Sequence, residues 1–293
     1  MRLLLIRHGD PDYVHDSLTE KGRREAQLLA RIAPQLDLGD VYVSTLGRAQ
    51  ETASYSLKAT GKSAKTVDWI QEFMTDLNLN EHPELREAYG IDTPVMEDYL
   101  VRPDWPESHK SYWELLHPGA ASAYGPDGSG KYPEYGPRCV WDILPSYMNK
   151  HPELYDPEDW KKSDLAVAGH VPECANYIFE KFDAMLAEHG YVRDGLLYRA
   201  VGANESTVTC FCHFGLTCLL VSHLIHQSPF ALWMHCCFAP TSVTELVTEE
   251  REKGIAVFRA LRLGDTTHLT MGGEKPSSSA RFCETYDNKG QRH

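Results

Sequence analysis

The chain has no apolar run approaching the roughly 18 residues that a membrane-crossing helix needs, so no transmembrane segment is expected. Nor does its start read as a secretory signal, because Met1-Arg2 leads into only four apolar residues before Arg7. Basic residues are scarce: 29 Lys and Arg stand against 42 Asp and Glu, a formal charge of −13. That balance, with no basic runs, argues against nucleic acid or an anionic membrane as a partner. Paired metal-ligand spacing is also missing. His235-Cys236-Cys237 and Cys210-x-Cys212-His213 lack a Cys-x-x-Cys pair or a second ligand pair, so they read as core or capping residues and no metal is expected. Eight cysteines in so long a chain do not make a disulfide scaffold, and Cys210, Cys212 and Cys218 sit in apolar segments. A reducing, cytoplasmic setting is the expectation.

What the chain does have is ordinary globular composition, 42% hydrophobic and 24% charged over 293 residues. This suits one large domain or one domain with a big insertion. Its most informative stretch is the first nine residues. Met1 to Ile6 reads as a short buried strand, and it stops at Arg7-His8-Gly9, followed by the turn formers Asp10, Pro11 and Asp12. In parallel α/β sheets, ligands sit just beyond the carboxyl ends of strands. Two further strands end in polar groups. Val41-Tyr42-Val43 leads into Ser44-Thr45 and a helix carrying Arg48, Thr52 and Ala53, and Thr207-Val208-Thr209 leads to His213. Side by side, these strands would converge two imidazoles and two guanidiniums on one spot.

Leu5-Ile6-Arg7-His8-Gly9, Leu18-Thr19-Glu20-Lys21-Gly22 with Ala26, Ser44 to Ala53, and His213-Phe214-Gly215 together resemble the histidine phosphatase superfamily, also called phosphoglycerate mutase-like. The matching pieces cover about the first 70 residues and the last third of the chain. The expected fold is α/β: a three-layer sandwich with a mostly parallel central sheet, helices on both faces and an inserted cap region. Residues 1–73 and 164–270 would form the core, 74–163 the insertion, and 271–293 a mobile, Gly-, Ser-, Lys- and Asn-rich tail.

Local patterns fill in this plan. Gly22, Ala26, Leu29, Ala30 and Ala33 recur at helical spacing after a start marked by Ser17 or its rival cap Thr19, with Arg23, Arg24 and Arg31 on the solvated face. Ser44 or Thr45 would cap the helix of Arg48. Thr66–Ile70 reads as a strand ending near Glu72. Between Met74 and Ser163 no sustained period survives, yet aromatic residues are dense, which disordered segments are not. A cap with short helices, such as Ser111–Leu116 and Val140–Asn149, would carry specificity. The alternative is a peripheral subdomain or a dimerisation surface, which leaves a homo-oligomer open. Beyond it come an amphipathic helix over 171–189, a nearly all-apolar helix over 216–225, and a late hairpin of 242–247 and 254–261.

Phosphate monoesters hydrolyse so slowly that a catalyst needs a nucleophile, a cradle for charge and an acid. His8 suits the first as a neutral imidazole able to form a phosphohistidine. Arg7 and Arg48 suit the cradle, since guanidiniums bind phosphoryl oxygens in pairs of hydrogen bonds. His213, at a strand-to-helix junction, would donate another hydrogen bond. Glu72, beside Phe73, is the chosen proton donor, with Asp76, Glu81, Glu84 and Glu87 as rivals. The resemblance supports an acid after a strand in this interval, although the family's following Gly and Trp-Glu-Gly are absent. It also places Ser44 beside the phosphate. His223 reads as a satisfied core histidine, and His170 as a helix cap. The expected activity is metal-independent, cofactor-free hydrolysis of a small phosphorylated substrate. The alternatives are a phosphoglycerate-type mutase, with Arg86, Arg102 and Arg138 leaving room for a second phosphate site, and a non-catalytic phospho-ligand module.

Overall fold

The computed structural model describes residues 1–75, 77–91, 110–120, 138–202 and 204–277. In chain order these form β1 (Arg2–Arg7), β2 (Pro11–Asp12), β3 (Ser17–Leu18), α1 (Glu20–Leu36), β4 (Asp40–Ser44), α2 (Gly47–Thr60), β5 (Ala64–Val67), α3 (Tyr112–Leu116), α4 (Pro145–Lys150), α5 (Asp164–Ala168), α6 (Val171–Glu188), β6 (Tyr191–Asp194), β7 (Leu197–Ala200), β8 (Thr207–Cys212), α7 (Phe214–Ile225), α8 (Pro229–His235), β9 (Val243–Glu252), β10 (Ile255–Asp265) and α9 (Thr267–Met271). The chain divides into two compact units. Met1–Glu72, Glu180–Ile225 and Cys236–His293 make the first, and Phe73–Phe179 with His226–His235 the second.

The first unit is built on a mixed eight-stranded sheet flanked by helices, in the order β5-β4-β8-β1-β9-β10-β7-β6. From β5 to β1 every pairing is parallel, and from β1 onward every pairing is antiparallel. The run Leu3 to Ile6 is apolar at every position because β1 lies inside the sheet with both faces covered. Leu4 and Ile6 join Leu29 and Ala33 of α1, Ala49 and Ala53 of α2, and Val41, Val43 and Phe211 in one cluster. Leu3 and Leu5 point to the opposite face, and α7 packs against β1. Each such aliphatic side chain contributes about 2 kcal/mol by leaving water.

Helix α1 is capped by Thr19, whose hydroxyl accepts the Gly22 N–H at 3.0 Å, rather than by Ser17, which is spent in the small β2–β3 ribbon. Gly22 is required by its surroundings: a Cβ there would lie 2.2 Å from the Asp10 carbonyl, and one on Gly9 would lie 2.8 Å from the Gly22 carbonyl. Helix and post-strand loop therefore touch backbone to backbone. The strand expected over 66–70 is shorter and earlier. Val67 ends it, and Asp68–Ile70 is a 3₁₀ turn that buries Trp69 and Ile70 in succession, which an alternating strand cannot do. Two expected features match closely: α6 spans Val171–Glu188, and the late hairpin pairs β9 with β10.

In the second unit, Ser111 caps α3 in a reciprocal box with Glu114. The helix expected over 140–149 is only α4, because Pro145 suits a first helical position and Leu144 before it is extended. Phe73 stacks on Trp233 at 5.5 Å, and Trp113 stacks on His170 at 3.6 Å. Asp76, Arg102, much of the expected insertion and the tail from 278 lie outside the described residues. The described part of the tail includes Glu274, which pairs with Lys21 and Arg24 at 2.8 and 2.9 Å. It also includes Ser277, which hydrogen-bonds Asp10.

Candidate active site

Sheet register does most of the assembly. Arg7 of β1 lies opposite Cys212 of β8, so the next residues along, His8 and His213, emerge abreast. The His8 N–H donates to the Cys212 carbonyl at 3.0 Å. Adjacent strands are about 4.8 Å apart, and the two imidazole centroids are separated by 5.1 Å. On the other side of β8, Val43 of β4 faces Phe211, which brings Ser44 to the same edge. Its hydroxyl meets His213 Nε2 at 2.8 Å.

His8 is wholly enclosed. Its Nδ1 donates to the Gly9 carbonyl at 2.7 Å, since a carbonyl oxygen can only accept. The neutral ring then carries its lone pair on Nε2. Burial, and then the charges of Arg48 and Arg7, hold its pKa well below the usual histidine value. Both guanidiniums therefore act on this ring. Arg7 is buried and donates through Nη1 to the Phe238 carbonyl at 2.8 Å, 5.5 Å from the Phe214 ring. Arg48 is buried, with its guanidinium carbon 5.4 Å from the Tyr13 ring and Nη1 donating to Asp16 Oδ1 at 2.7 Å.

Glu72 lies just past the 3₁₀ turn. Its Oε1 accepts the Leu216 N–H at 3.2 Å, in the first turn of α7 and three residues after His213. Phe214 opens that helix directly, and Thr217 closes its first turn onto the His213 carbonyl through its N–H at 3.0 Å and its hydroxyl at 2.6 Å. The structure thus brings His8, His213, Ser44, Arg7, Arg48 and Glu72 into the first unit, at or next to one edge of the sheet. The rival acids Glu81, Glu84 and Glu87 belong to the second unit, where Glu84 and Glu87 meet His82 and Lys150.

Several supporting residues were not singled out from the sequence. The Thr52 hydroxyl accepts the Gly9 N–H at 2.9 Å and donates to the Arg48 carbonyl at 2.7 Å, tying the loop after β1 to α2. Its signal is the i+4 spacing from Arg48 on a single helix face. Buried Glu25 accepts the Asp10 N–H at 2.8 Å, and burial pushes its carboxyl up to about 7. The expected hydroxyl cap on α2 is absent: Leu46 occupies the N-cap, and the Ser44 hydroxyl is used by Leu46 N and His213. His223 meets Asp183 at 2.9 Å, a satisfied histidine, and His170 takes a left-handed backbone, φ 53°, ahead of α6. Among the described residues, no three His, Cys, Asp or Glu side chains cluster as a metal site requires.

Comparison with known proteins bears on family rather than substrate. Among curated proteins none matches the chain. Solved structures that do match include a mycobacterial glucosyl-3-phosphoglycerate phosphatase with inorganic phosphate, at 20% identity over 91% of this chain and 98% of that one, TM-score 0.46. Another is a phosphoserine phosphatase from Entamoeba histolytica with 3-phosphoglyceric acid, at 15% identity over 92% and 98%, TM-score 0.44. A mycobacterial hydrolase matches at 19% identity over 90% and 98%, TM-score 0.44. With TM-scores under 0.5, these likenesses carry no weight for fold or chemistry. The likeness first borne by Arg7-His8-Gly9 is established over residues 3–118, which match the histidine phosphatase superfamily, branch 1.

Proposed function

We propose that this chain is a metal-independent phosphomonoesterase that works through a phosphohistidine on His8. The observation that carries the reading is the pair of buried imidazoles 5.1 Å apart, with Arg7 and Arg48 close enough to depress the pKa of His8. A neutral ring with Nδ1 tied to Gly9 offers Nε2 to phosphorus. Nε2 forms the N–P bond as the ester P–O bond breaks, and the leaving oxygen takes the proton of Glu72. Water then attacks phosphorus and gives its proton to Glu72. The N–P bond breaks, leaving inorganic phosphate and the neutral ring. The two guanidiniums spread the charge of the three phosphoryl oxygens, which is the task a metal ion performs elsewhere. His213, its ring set by Ser44, donates to one of those oxygens.

The test is a rapid quench of the protein with a small aryl phosphate, followed by intact-mass measurement. A gain of one phosphoryl group in the wild type, absent in His8→Ala, is the expected result. Turnover with no such adduct at any quench time, together with an active His8→Ala, would refute it.

A further inference from the structure

We propose that Asp16 is a positioning residue for Arg48: it fixes the guanidinium and the first turn of α2 as one unit, and so sets how tightly the site holds a phosphoryl group. The assignment rests on the reading that Arg48 binds that group.

Arg48 stands in the first turn of α2, where the partial positive charge of the helix end disfavours a cation. The N-cap residue, Leu46, makes no side-chain hydrogen bond to the first-turn N–H groups. One carboxylate from a loop more than thirty residues earlier answers both needs. Asp16 Oδ2 accepts the Gly47 N–H at 2.5 Å, and Oδ1 accepts Arg48 Nη1 at 2.7 Å. Both oxygens are committed, so the carboxylate cannot turn without breaking one bond. The Arg48 side chain is 2% exposed and that of Asp16 12%, which leaves little water to compete.

The backbone is shaped for this contact. Asp16 takes φ 45°, a left-handed conformation that Asp and Asn adopt far more readily than other residues with a Cβ. Its carbonyl lies where a Cβ on Gly47 would be, 2.2 Å away, so the loop presses on the helix end and position 47 must stay glycine. Tyr13 from the same loop covers the guanidinium. Held in this way, Arg48 loses little freedom when an anion arrives, and preorganisation of that kind raises affinity without adding a contact to the ligand. Asp16 touches no phosphate itself.

The decisive substitution is Asp16→Asn. It keeps the left-handed backbone and the shape, yet its amide NH₂ must face either the Gly47 N–H or the guanidinium. Inorganic phosphate affinity by calorimetry and turnover of para-nitrophenyl phosphate are measured for the wild type, Asp16→Asn, Arg48→Ala and the double variant. A misplaced positioning group costs on the order of ten- to a hundredfold. Asp16→Asn is expected to weaken phosphate by about that factor and to lower kcat/KM in step. In the Arg48→Ala background the same change should cost less than about twofold, because the group it positions is gone. A purely structural Asp16 would give losses that multiply in the double variant. An electrostatic brake would give tighter phosphate binding in Asp16→Asn. Either result overturns the assignment while leaving the phosphatase reading intact. A wild type that binds no phosphate removes the site reading itself, and the assignment with it. Should Asp16→Asn not fold, Asp16→Gly, which also accepts a left-handed backbone, is read in its place.

Discussion

The two halves of the eight-stranded sheet differ in strand direction and serve different ends. In β5, β4, β8 and β1 the strands run the same way, so every carboxyl end reaches one edge. Ser44, His213 and Arg7-His8 accumulate there as a matter of direction. In β9, β10, β7 and β6 the strands alternate, and polar ends are dealt to both edges. Strand β10 carries Ile255, Val257, Leu261 and Leu263, all exposed. Shared strand direction concentrates reactive groups, which is why ligands collect beyond carboxyl ends in parallel sheets.

Substitutions can break or sharpen that contrast. At the parallel edge His8→Ala should abolish the phosphoryl adduct and lower kcat by at least about 10⁴-fold, as loss of a nucleophile does elsewhere. Activity within tenfold of wild type, in steady-state assay, would dissolve the contrast. Arg48→Ala should lower kcat/KM by about 10²- to 10³-fold, the scale of removing one preorganised charge donor. A change confined to KM would show instead that Arg48 binds ground and transition states alike.

Stability should respond at the same edge. Glu25 is pushed up to about 7 from 4.5, so the folded state favours its neutral form. Its stabilising share is full below pH 4.5 and drains as pH rises through about 7. Glu25→Gln keeps an acceptor for the Asp10 N–H and removes the titration. Denaturant melts at pH 5 and pH 8 should show the variant gaining about 2 kcal/mol on the wild type at the higher value. Equal gains at both would mean that the fold does not raise this carboxyl above its unfolded pKa. His8 titrates with the opposite sign. Its lowered pKa keeps the native ring neutral, so stability falls as pH drops below about 6.5, while the nucleophile stays competent there. NMR titration should find no His8 inflection at 6.5. On the antiparallel half, Leu261→Ser should change stability by no more than about 0.5 kcal/mol and leave turnover alone. A larger loss, with a change in sedimentation, would reveal that this part of β10 is covered in solution.

Much of this was legible in short range. The apolar run before Arg7-His8-Gly9, the helical period of α1 and the late hairpin are local signals, and local forces made them. The parts that escaped depend on distant chain. Asp16 caps α2 across the fold, so no residue near Ser44 or Thr45 announces it. Asp68–Ile70 turns because Trp69 and Ile70 both find burial, a preference set by neighbours rather than by alternation. Glu25 sits in the buried stripe of α1, where the Asp10 N–H and the Lys21 ammonium 3.6 Å away explain a carboxyl.

The pairing of Arg2 with Thr207 also bears on how the molecule is made. Strand β1 leaves the ribosome well before both of its hydrogen-bonding partners, which belong to the final third of the chain. At the usual pace of translation, roughly ten to forty seconds pass before β8 follows, and until then both hydrogen-bonding edges of Leu3 to Ile6 lack their partners. A circular permutant that begins ahead of β8 would shorten the wait and should reach its native state with less aggregation.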